Sequence, residues 1–327
     1  MRTTTTSPRA ALAILLALAL SLGIVACGGG DDSSTSSNEE GGGAIVSNPK
    51  NGKATLTVGS KNFPEEEILG EIYAQALEAA GYKVKKALNL GSETVALGAL
   101  KSGQISGYPE YTATALESFF GLEPEEVPSD ATEAWEKANA EFEKENLLAF
   151  PPTPFSSANA VGTLRKTADK LGLKSISDLK GQSEELSLDG SPECRQRIDC
   201  LAGLEKFYGL KFKSFTPVDI GLRYTVLEKG QADLSILFTT DPQLSAEKDK
   251  FVTLEDDKHV FPPGNVIFVT KDSVAKEAGA DYEKTIVAVQ KGLTLQVMQE
   301  LNARVELEKQ SPAKAAAAYL EEAGYTG

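Results

Sequence analysis

The sequence predicts an α/β protein in which helices pack on sheets. Short runs rich in β-branched residues, such as 54–58 and 265–270, alternate with longer segments whose apolar residues recur every three or four positions. The 327 residues are enough for two lobes that each bury a core of their own. A composition of 41% hydrophobic and 24% charged residues is that of an ordinary globular protein.

The first half of the body starts with a strand at 54–58 and a loop that ends at Asn62. A helix follows, for which Asn62 is a plausible N-cap, Pro64 suits the first turn and Gly81 provides a stop. The remaining predicted elements of this half are strands at 83–88 and 105–108 and helices at 94–101, from 112 onward and at 130–146.

The second half continues the alternation of strands and helices. Its predicted strands are 158–164, 186–188, 212–215, 232–238 and 265–270. Its predicted helices are a short one from 176, then 201–208, 221–229, 282–290, 294–305 and 311–323.

Charge and composition exclude several classes of function. The formal net charge of −14 argues against nucleic acid, because a phosphate-binding surface needs an excess of Lys and Arg. His259 is the sole histidine, and no Cys/His cluster exists, so a conventional zinc site is not expected. No paired nucleophile and base is visible, and we expect no enzymatic activity, no metal and no cofactor.

The N-terminus has the pattern of an export signal. Arg2 and Arg9 precede an apolar run over 10–26, which is short for a membrane-spanning helix. The run ends in IVAC, with small residues before Cys27, and it resembles a bacterial lipobox. That resemblance implies removal of residues 1–26 and lipidation of Cys27; the alternative is a plain signal peptide with an incidental cysteine.

Residues 27–53 are predicted to form a flexible tether. They are rich in Gly, Ser, Asp, Glu and Asn, a composition that cannot bury a core. The two remaining cysteines, Cys194 and Cys200, lie six positions apart in an exported chain, where nearby cysteines usually pair. We expect a small disulfide loop, with two free thiols as the alternative.

Several ordered motifs resemble the ProX/OpuC-type binding proteins for glycine betaine, choline and related osmoprotectants. VGSKNFPEEEILGEIYAQALEAAGYKV looks like the start of these proteins, and YPEYTATAL matches their Tyr-Pro-Glu-Tyr-Thr-Gly-Thr motif, with Ala113 in place of glycine. ISDL, VDIGLRY, LEDDKHVFPP and the terminal LQVMQELNARVELEKQSPAKAAAAYL match in order and spacing. The similarity covers about residues 54–325.

The resemblance implies a type II periplasmic-binding-protein fold with two α/β lobes joined by two crossover strands. Lobe I would comprise 54–157 and 264–327, and lobe II would comprise 158–263. A ligand would lie in the cleft, and hinge closure would bury it. The implied partners are the permease and ATPase subunits of an ABC importer, with the protein as a monomer on the extracytoplasmic side, held by the lipid on Cys27 or free in a periplasm.

The resemblance also implies which residues bind the ligand. A quaternary ammonium has no N–H, so aromatic faces hold it, whereas a carboxylate is held by basic and hydroxyl side chains. Tyr111 corresponds to one wall of the aromatic cage. The carboxylate ligands of the family correspond to Lys61, Thr114 and Arg197.

This sequence departs from the family pattern in the rest of the cage. Three further cage tyrosines are replaced by Asn159, Phe238 and Gly264. Ser157 stands where some members have an acid, and Glu66 where the family often has glutamine. The side chains that would rebuild a cage are those of Phe63, Tyr108, Phe155 and Glu66.

Other interpretations of these residues remain open. Tyr111 and Phe238 would also suit the core, Lys61 a solvated loop, and Arg197 a surface ion pair with Glu193 or Asp199. The predicted function is capture of a quaternary-ammonium or similar zwitterionic solute for import. The alternatives are a more polar zwitterion or amino-acid-like ligand, for example ergothioneine, and a sensor or scavenger lipoprotein without an importer.

Overall fold

The structure is a computed structural model, and it describes residues 43–327. Its strands form two separate mixed sheets. The strands are β1 (Thr55–Gly59), β2 (Lys83–Ala87), β3 (Gly107–Tyr111), β4 (Leu147–Ala149), β5 (Ser156–Ser157), β6 (Asn159–Leu164), β7 (Ser187–Gly190), β8 (Ser214–Pro217), β9 (Leu234–Phe238), β10 (Phe251–Thr253) and β11 (Gly264–Lys271).

Helices surround both sheets. They are α1 (Pro64–Ala79), α2 (Glu93–Ser102), α3 (Thr112–Thr114), α4 (Ala131–Glu143), α5 (Arg165–Leu171), α6 (Leu201–Phe207), α7 (Arg223–Glu228), α8 (Gln243–Ala246), α9 (Asp272–Ala278), α10 (Ala280–Lys291), α11 (Leu295–Glu306) and α12 (Pro312–Glu322). Within the described residues, none of them is both long and apolar enough to cross a bilayer.

The first sheet has the strand order β2-β1-β3-β11-β4, with β5 paired to the start of β11. β1 is parallel to β2 and β3, whereas β11 is antiparallel to β3, with Val266 opposite Tyr111. Gly107 is needed for this pairing, because a Cβ there would lie 2.2 Å from the Phe268 ring.

The core of this lobe forms where α1 meets the C-terminal helices. The apolar stripe of α1, including Ile68, Leu69 and Ile72, is fully buried together with residues of α10, α11 and α12. Burying each such side chain contributes about 1.5–3 kcal/mol. This packing fixes α1, whose first turn borders the cleft described below.

The second sheet has the order β10-β6-β9-β7-β8 and a core of its own. Cys194 and Cys200 are buried in this core and form a disulfide with a Cα–Cα distance of 5.2 Å. The loop that the disulfide closes carries Arg197 and Asp199 between β7 and α6.

The two connections between the sheets pair with each other. Ser157 lies opposite Gly264, and Ser156 lies opposite Asn265, at the point where β5 meets β11. All strands of the first sheet lie within 55–157 and 264–271, and those of the second lie within 159–253. This division supports the lobe boundaries 54–157 with 264–327 and 158–263, which we retain as a proposal.

Two local predictions differ from the structure. The predicted strand at 105–108 is shifted, because pairing with β11 extends it through Tyr111, so Tyr-Pro-Glu-Tyr is the end of a strand. Phe63 and not Asn62 is the N-cap residue of α1, and it makes no side-chain capping bond. The sequence also gave no prediction of α5, α9, β4 or β10.

The end of the predicted tether packs on lobe I. Backbone bonds join the Ile45 N–H to the Tyr325 carbonyl at 2.9 Å and the Asn48 N–H to the Ala80 carbonyl at 3.0 Å. Asn48 also donates to Asp281 at 2.7 Å. The predicted signal peptide (1–26), Cys27 and the tether up to residue 42 lie outside the described residues.

Candidate ligand-binding cleft

A cleft that is open to solvent lies between the two lobes. Eight of the residues predicted for the site line it: Lys61, Phe63, Tyr111, Thr114, Ser157, Asn159, Arg197 and Phe238. They come from the ends of β1, β3 and β9, the start of β6, and the disulfide loop. Ligands of open α/β sheets bind at such strand ends.

Three aromatic rings form a row that joins the lobes. Phe63 stacks near Tyr111, with centroids 6.3 Å apart, and it contacts Phe238 of lobe II at 5.4 Å. Phe63 begins α1, and its ring lies between the other two. Tyr111 is only 7% exposed and belongs to the core of lobe I as well as to the cleft.

Lys61 is a buried cation on the lobe I side and not a solvated loop lysine. Its ammonium contacts Glu110, lies 3.6 Å from Glu66 Oε1, and is 4.6 Å from the Tyr111 ring centroid. Burial acts to lower the pKa of Lys61, but Glu110 and Glu66 outweigh it and leave that pKa raised. The side chain is therefore a cation held against an aromatic face.

Tyr111 is oriented by a carboxylate that the sequence did not single out. Its hydroxyl donates to Glu65 Oε1 at 2.5 Å, and Asn302 Nδ2 donates to Glu65 Oε2 at 2.7 Å. Asn302 also donates to the carbonyl of Thr240, in the loop after β9, at 3.2 Å. This chain of bonds connects the tyrosine to lobe II.

Arg197 crosses the cleft from lobe II. Its guanidinium donates to Thr114 Oγ1 at 3.2 Å, pairs with both oxygens of Asp199, and lies 3.3 Å from Glu93 Oε2. Its side chain is 18% exposed, so the pair with Asp199 is not an ordinary surface ion pair. Asn159 Nδ2 donates to the Asp199 carbonyl at 2.7 Å and so holds the same loop.

Arg223 covers the lobe II ring. Its guanidinium carbon lies 4.2 Å from the Phe238 centroid, and it donates to Asp241 Oδ1 at 3.0 Å. Its other nitrogens donate to the carbonyls of Ile220 and Ile236. All three nitrogens are thus bonded, and the group is fixed.

Three predicted residues lie behind the lining. Glu66 is fully buried beneath Lys61, Tyr108 is fully buried and donates to Glu110 at 3.1 Å, and Gly264 lies in the crossing strand. A Cβ at Gly264 would lie 3.1 Å from Tyr111 Cβ, so no larger side chain reaches the cleft from there without displacing its neighbours. Phe155, also considered for the cage, is buried in the core of lobe I.

Several lining residues were missed by the sequence analysis, among them Glu93, Asp199 and Arg223. The available signals were weak: Asp199 stands two positions after Arg197, and Arg223 lies inside VDIGLRY without an assigned role. Glu93 opens α2 and is distant in sequence from the arginine that it contacts. Among the described residues no cluster of His, Cys, Asp or Glu has the arrangement of a metal site.

The geometry defines a class of protein. Two α/β lobes joined by paired crossing strands, with a polar and aromatic cleft between them, form a type II periplasmic binding protein. The chain belongs to the OpuAC family, the substrate-binding domain of ABC-type glycine betaine transport systems, whose model matches residues 54–322. It is therefore a substrate-binding protein of the ABC transporter type, a class that works outside the cytoplasm with permease and ATPase subunits.

Individual relatives agree with this assignment. The chain is 33% identical to the glycine-betaine-binding protein of Pseudomonas aeruginosa, over 82% of this chain and 88% of that one. It is 30% identical to the ergothioneine transport permease/binding protein EgtU of Helicobacter pylori, covering 84% of this chain and 49% of that longer protein. A crystal structure of a glycine betaine/carnitine/choline ABC transporter protein is 25% identical, with a TM-score of 0.63 over 82% of this chain and 98% of that one.

Proposed function

We propose that the cleft captures a quaternary-ammonium zwitterion of the glycine betaine type, with its two ends held by different parts of the cleft. The observation that carries the proposal is the bond from Arg197 of lobe II to Thr114 of lobe I, beside the row of rings. A ligand bound there touches both lobes at once, which is the requirement for ligand-driven closure.

The cationic end would lie along Phe63, Tyr111 and Phe238. All three rings already contact a protein cation: Lys61 lies 4.6 Å from the Tyr111 centroid and 5.8 Å from the Phe63 centroid, and Arg223 lies on Phe238. Each such contact contributes about 0.5–2 kcal/mol, depending on desolvation. Because Lys61 and Arg223 already lie over these rings, the ligand ammonium would use the aromatic surface that the two protein cations leave free.

The anionic end would be bound by Arg197, Thr114 and Lys61. In the structure Asp199 and Glu93 already contact Arg197. The ligand carboxylate would therefore displace part of this network rather than meet a free arginine. Asn159 would take part indirectly, since it holds Asp199.

The finer features of the function belong to the same proposal. We expect a monomer that is held at the extracytoplasmic membrane surface by a lipid on Cys27 and delivers its ligand to an importer. Neither catalysis nor a cofactor is part of this function. A more polar zwitterion such as ergothioneine is a second candidate, favoured by the polar Asn159 in the cleft and by the relative from Helicobacter pylori.

Calorimetric titration with matched ligands tests the proposal. The affinities of wild type, Arg197→Ala and Arg195→Ala would be measured for glycine betaine, carnitine, choline, ergothioneine and amino acids. Arg195→Ala is the matched control, because the Arg195 side chain donates to the Phe215 carbonyl instead. We expect Arg197→Ala to lower the affinity for ligands with a carboxylate about 10–100-fold, which corresponds to the loss of a hydrogen bond to a charged group. The affinity for choline should be nearly unchanged. An equal loss of affinity for choline would show that Arg197 does not bind the ligand carboxylate. If no quaternary ammonium compound binds at all, the proposed ligand class is rejected.

A further inference from the structure

The Glu66 carboxyl group is a buried acid beside the cleft that the proposed function does not use. Its Oε2 accepts the backbone N–H of Lys61 at 3.0 Å. Its Oε1 lies 3.6 Å from Lys61 Nζ and accepts no hydrogen bond, although the side chain is completely buried. An ionised oxygen without a bond partner at such a site is unfavourable and is relieved by any change that neutralises it.

Lys61 is shared between two carboxylates of unequal rigidity. Glu110 Oε1 contacts the ammonium and accepts the Tyr111 N–H at 2.8 Å, while its Oε2 accepts from Tyr108 at 3.1 Å. Glu110 is thereby fixed by three donors. Glu66, in contrast, reaches the ammonium only at 3.6 Å, so it is the weaker of the two partners.

The carboxylate-binding end of the cleft holds more acid than base. Two cations, Lys61 and Arg197, are contacted by four carboxylates, which are Glu66, Glu110, Glu93 and Asp199. A ligand carboxylate that enters this environment competes with protein carboxylates for both cations. Neutralising one of these four carboxylates would remove a large part of the negative charge that opposes binding of the ligand carboxylate.

We propose that Glu66 is a specificity-determining residue that competes with the ligand carboxylate for Lys61, so that its ionisation weakens carboxylate-bearing ligands selectively. The inference rests on the proposed function and deepens it. When Glu66 is neutral, the ligand carboxylate competes with Glu110 alone for Lys61, whereas ionised Glu66 adds a second competitor. A quaternary ammonium without a carboxylate is not subject to this competition.

The groups that face Glu66 place its titration in an accessible range. Burial raises its pKa to about 8, with Lys61 opposing the rise and Glu110 and Glu65 adding to it. The other titratable groups close to it are hydroxyls, those of Tyr73 on its own helix and of Tyr108 and Tyr111 on β3. As the pH rises through this range, Glu66 loses its proton and the affinity for carboxylate ligands falls.

The test is calorimetric titration of glycine betaine and choline at about pH 6.5 and about pH 9.5, with wild type, Glu66→Gln and Glu306→Gln. Burial also raises the pKa of Glu306, to about 7, but its side chain bonds to Gln243 and not to Lys61, so it is a matched control. We expect wild type and Glu306→Gln to bind glycine betaine about tenfold more weakly at the higher pH, equivalent to one pKa unit of coupling. Glu66→Gln should lose clearly less affinity than wild type over the same range; the loss that remains is assigned to Glu117, which lies near Arg197 and whose pKa burial raises to about 9.

The outcomes separate this inference from the proposed function. Glycine betaine binding that is independent of pH in wild type, or equally dependent on pH in Glu66→Gln, overturns the role of Glu66 and leaves the function intact. An equal loss for choline in wild type also overturns it, because choline has no carboxylate to compete. If no quaternary ammonium binds at either pH, the proposed function fails and this inference fails with it.

Discussion

The two walls of the cleft use the same pairing of a cation with an aromatic ring, but they neutralise the cation differently. In lobe II, Arg223 lies on Phe238 and shares its charge with a single buried acid, Asp241. In lobe I, Lys61 lies on Tyr111 between Glu110 and Glu66, one of which retains a buried oxygen without a bond. The Arg223–Asp241 pair of lobe II is thus fully bonded, whereas the lobe I cation is shared by two acids, an excess that protonation can relieve.

The largest expected effect comes from breaking the lobe II pair. Arg223→Met keeps an unbranched apolar stem but removes the guanidinium, which leaves Asp241 buried without an ion pair; its remaining donors are Tyr224 and the Phe238 N–H. We expect the free energy of unfolding to fall by about 3–5 kcal/mol. Urea denaturation measures it, and a loss below about 1 kcal/mol would contradict a fully bonded, buried pair.

A second prediction concerns excess acid on the lobe I side. Glu117, in the π-helical turn Ala115–Phe119 after α3, has both carboxyl oxygens buried without a bond. Burial raises its pKa to about 9, aided by Asp199 and opposed by Arg197. Glu117→Gln should raise the free energy of unfolding near neutral pH by about 1–3 kcal/mol, because the folded protein keeps a proton on this carboxyl that the unfolded chain releases, whereas glutamine has no such cost.

The pH dependence of that gain has a definite sign. The folded protein retains the Glu117 proton up to about pH 9, whereas the unfolded chain releases it near its ordinary pKa of 4.5. Stability contributed by this group therefore falls as the pH rises between those values. Urea denaturation across that range should show the gap between variant and wild type widening; a constant gap would show that Glu117 is ionised throughout.

A smaller effect is expected for the bond that orients Tyr111. Tyr111→Phe removes the donor to Glu65 but leaves Asn302 in place. We expect a loss of about 1.5 kcal/mol in the free energy of unfolding, measured by urea denaturation. Choline affinity should change little because the ring remains, so a loss of binding above about tenfold would mean that the hydroxyl itself contacts the ligand.

The smallest effect calibrates the others. Arg304 pairs with Glu322 at 2.8 Å on the surface of lobe I, where the Glu322 side chain is 61% exposed. Arg304→Ala should change the free energy of unfolding by less than about 1 kcal/mol, because solvent and side-chain entropy offset an exposed pair. Thermal denaturation measures this change. A larger loss of stability would show that burial does not determine how much an ion pair contributes in this protein.

The sequence was sufficient to identify the family and eight of the residues that line the cleft. Lys61, Tyr111 and Arg197 stand in recognisable motifs, and the structure brings them to one cleft. Asp199 was named as a possible ion partner of Arg197, but Glu93 was not predictable, since it meets Arg197 only through the juxtaposition of the two lobes. Spacing along the chain carries no information on that contact.

The strand ends were missed for a related reason. β3 begins at Gly107 because Phe268 of β11 fills the space beside it, and that partner lies far away in the chain. Similarly, residues 45–53 have the composition of a linker, yet Asn48 and Asn51 bond to Asp281 near the C-terminal helices. Local composition could not indicate that these two asparagines would bond to Asp281, which lies on a helix far away in the sequence.

The docking of residues 45–53 determines which half of the molecule an N-terminal leash would restrain. Because Ile45 hydrogen-bonds to Tyr325 and Asn48 to Asp281, any force that acts along the chain from the direction of the N-terminus is transmitted to lobe I. The backbone passes between lobe I and lobe II through the paired segments at Ser157 and Gly264. In a molecule that is tethered by its N-terminus, lobe I would therefore be the restrained half, and lobe II would be the half that moves when the cleft opens or closes.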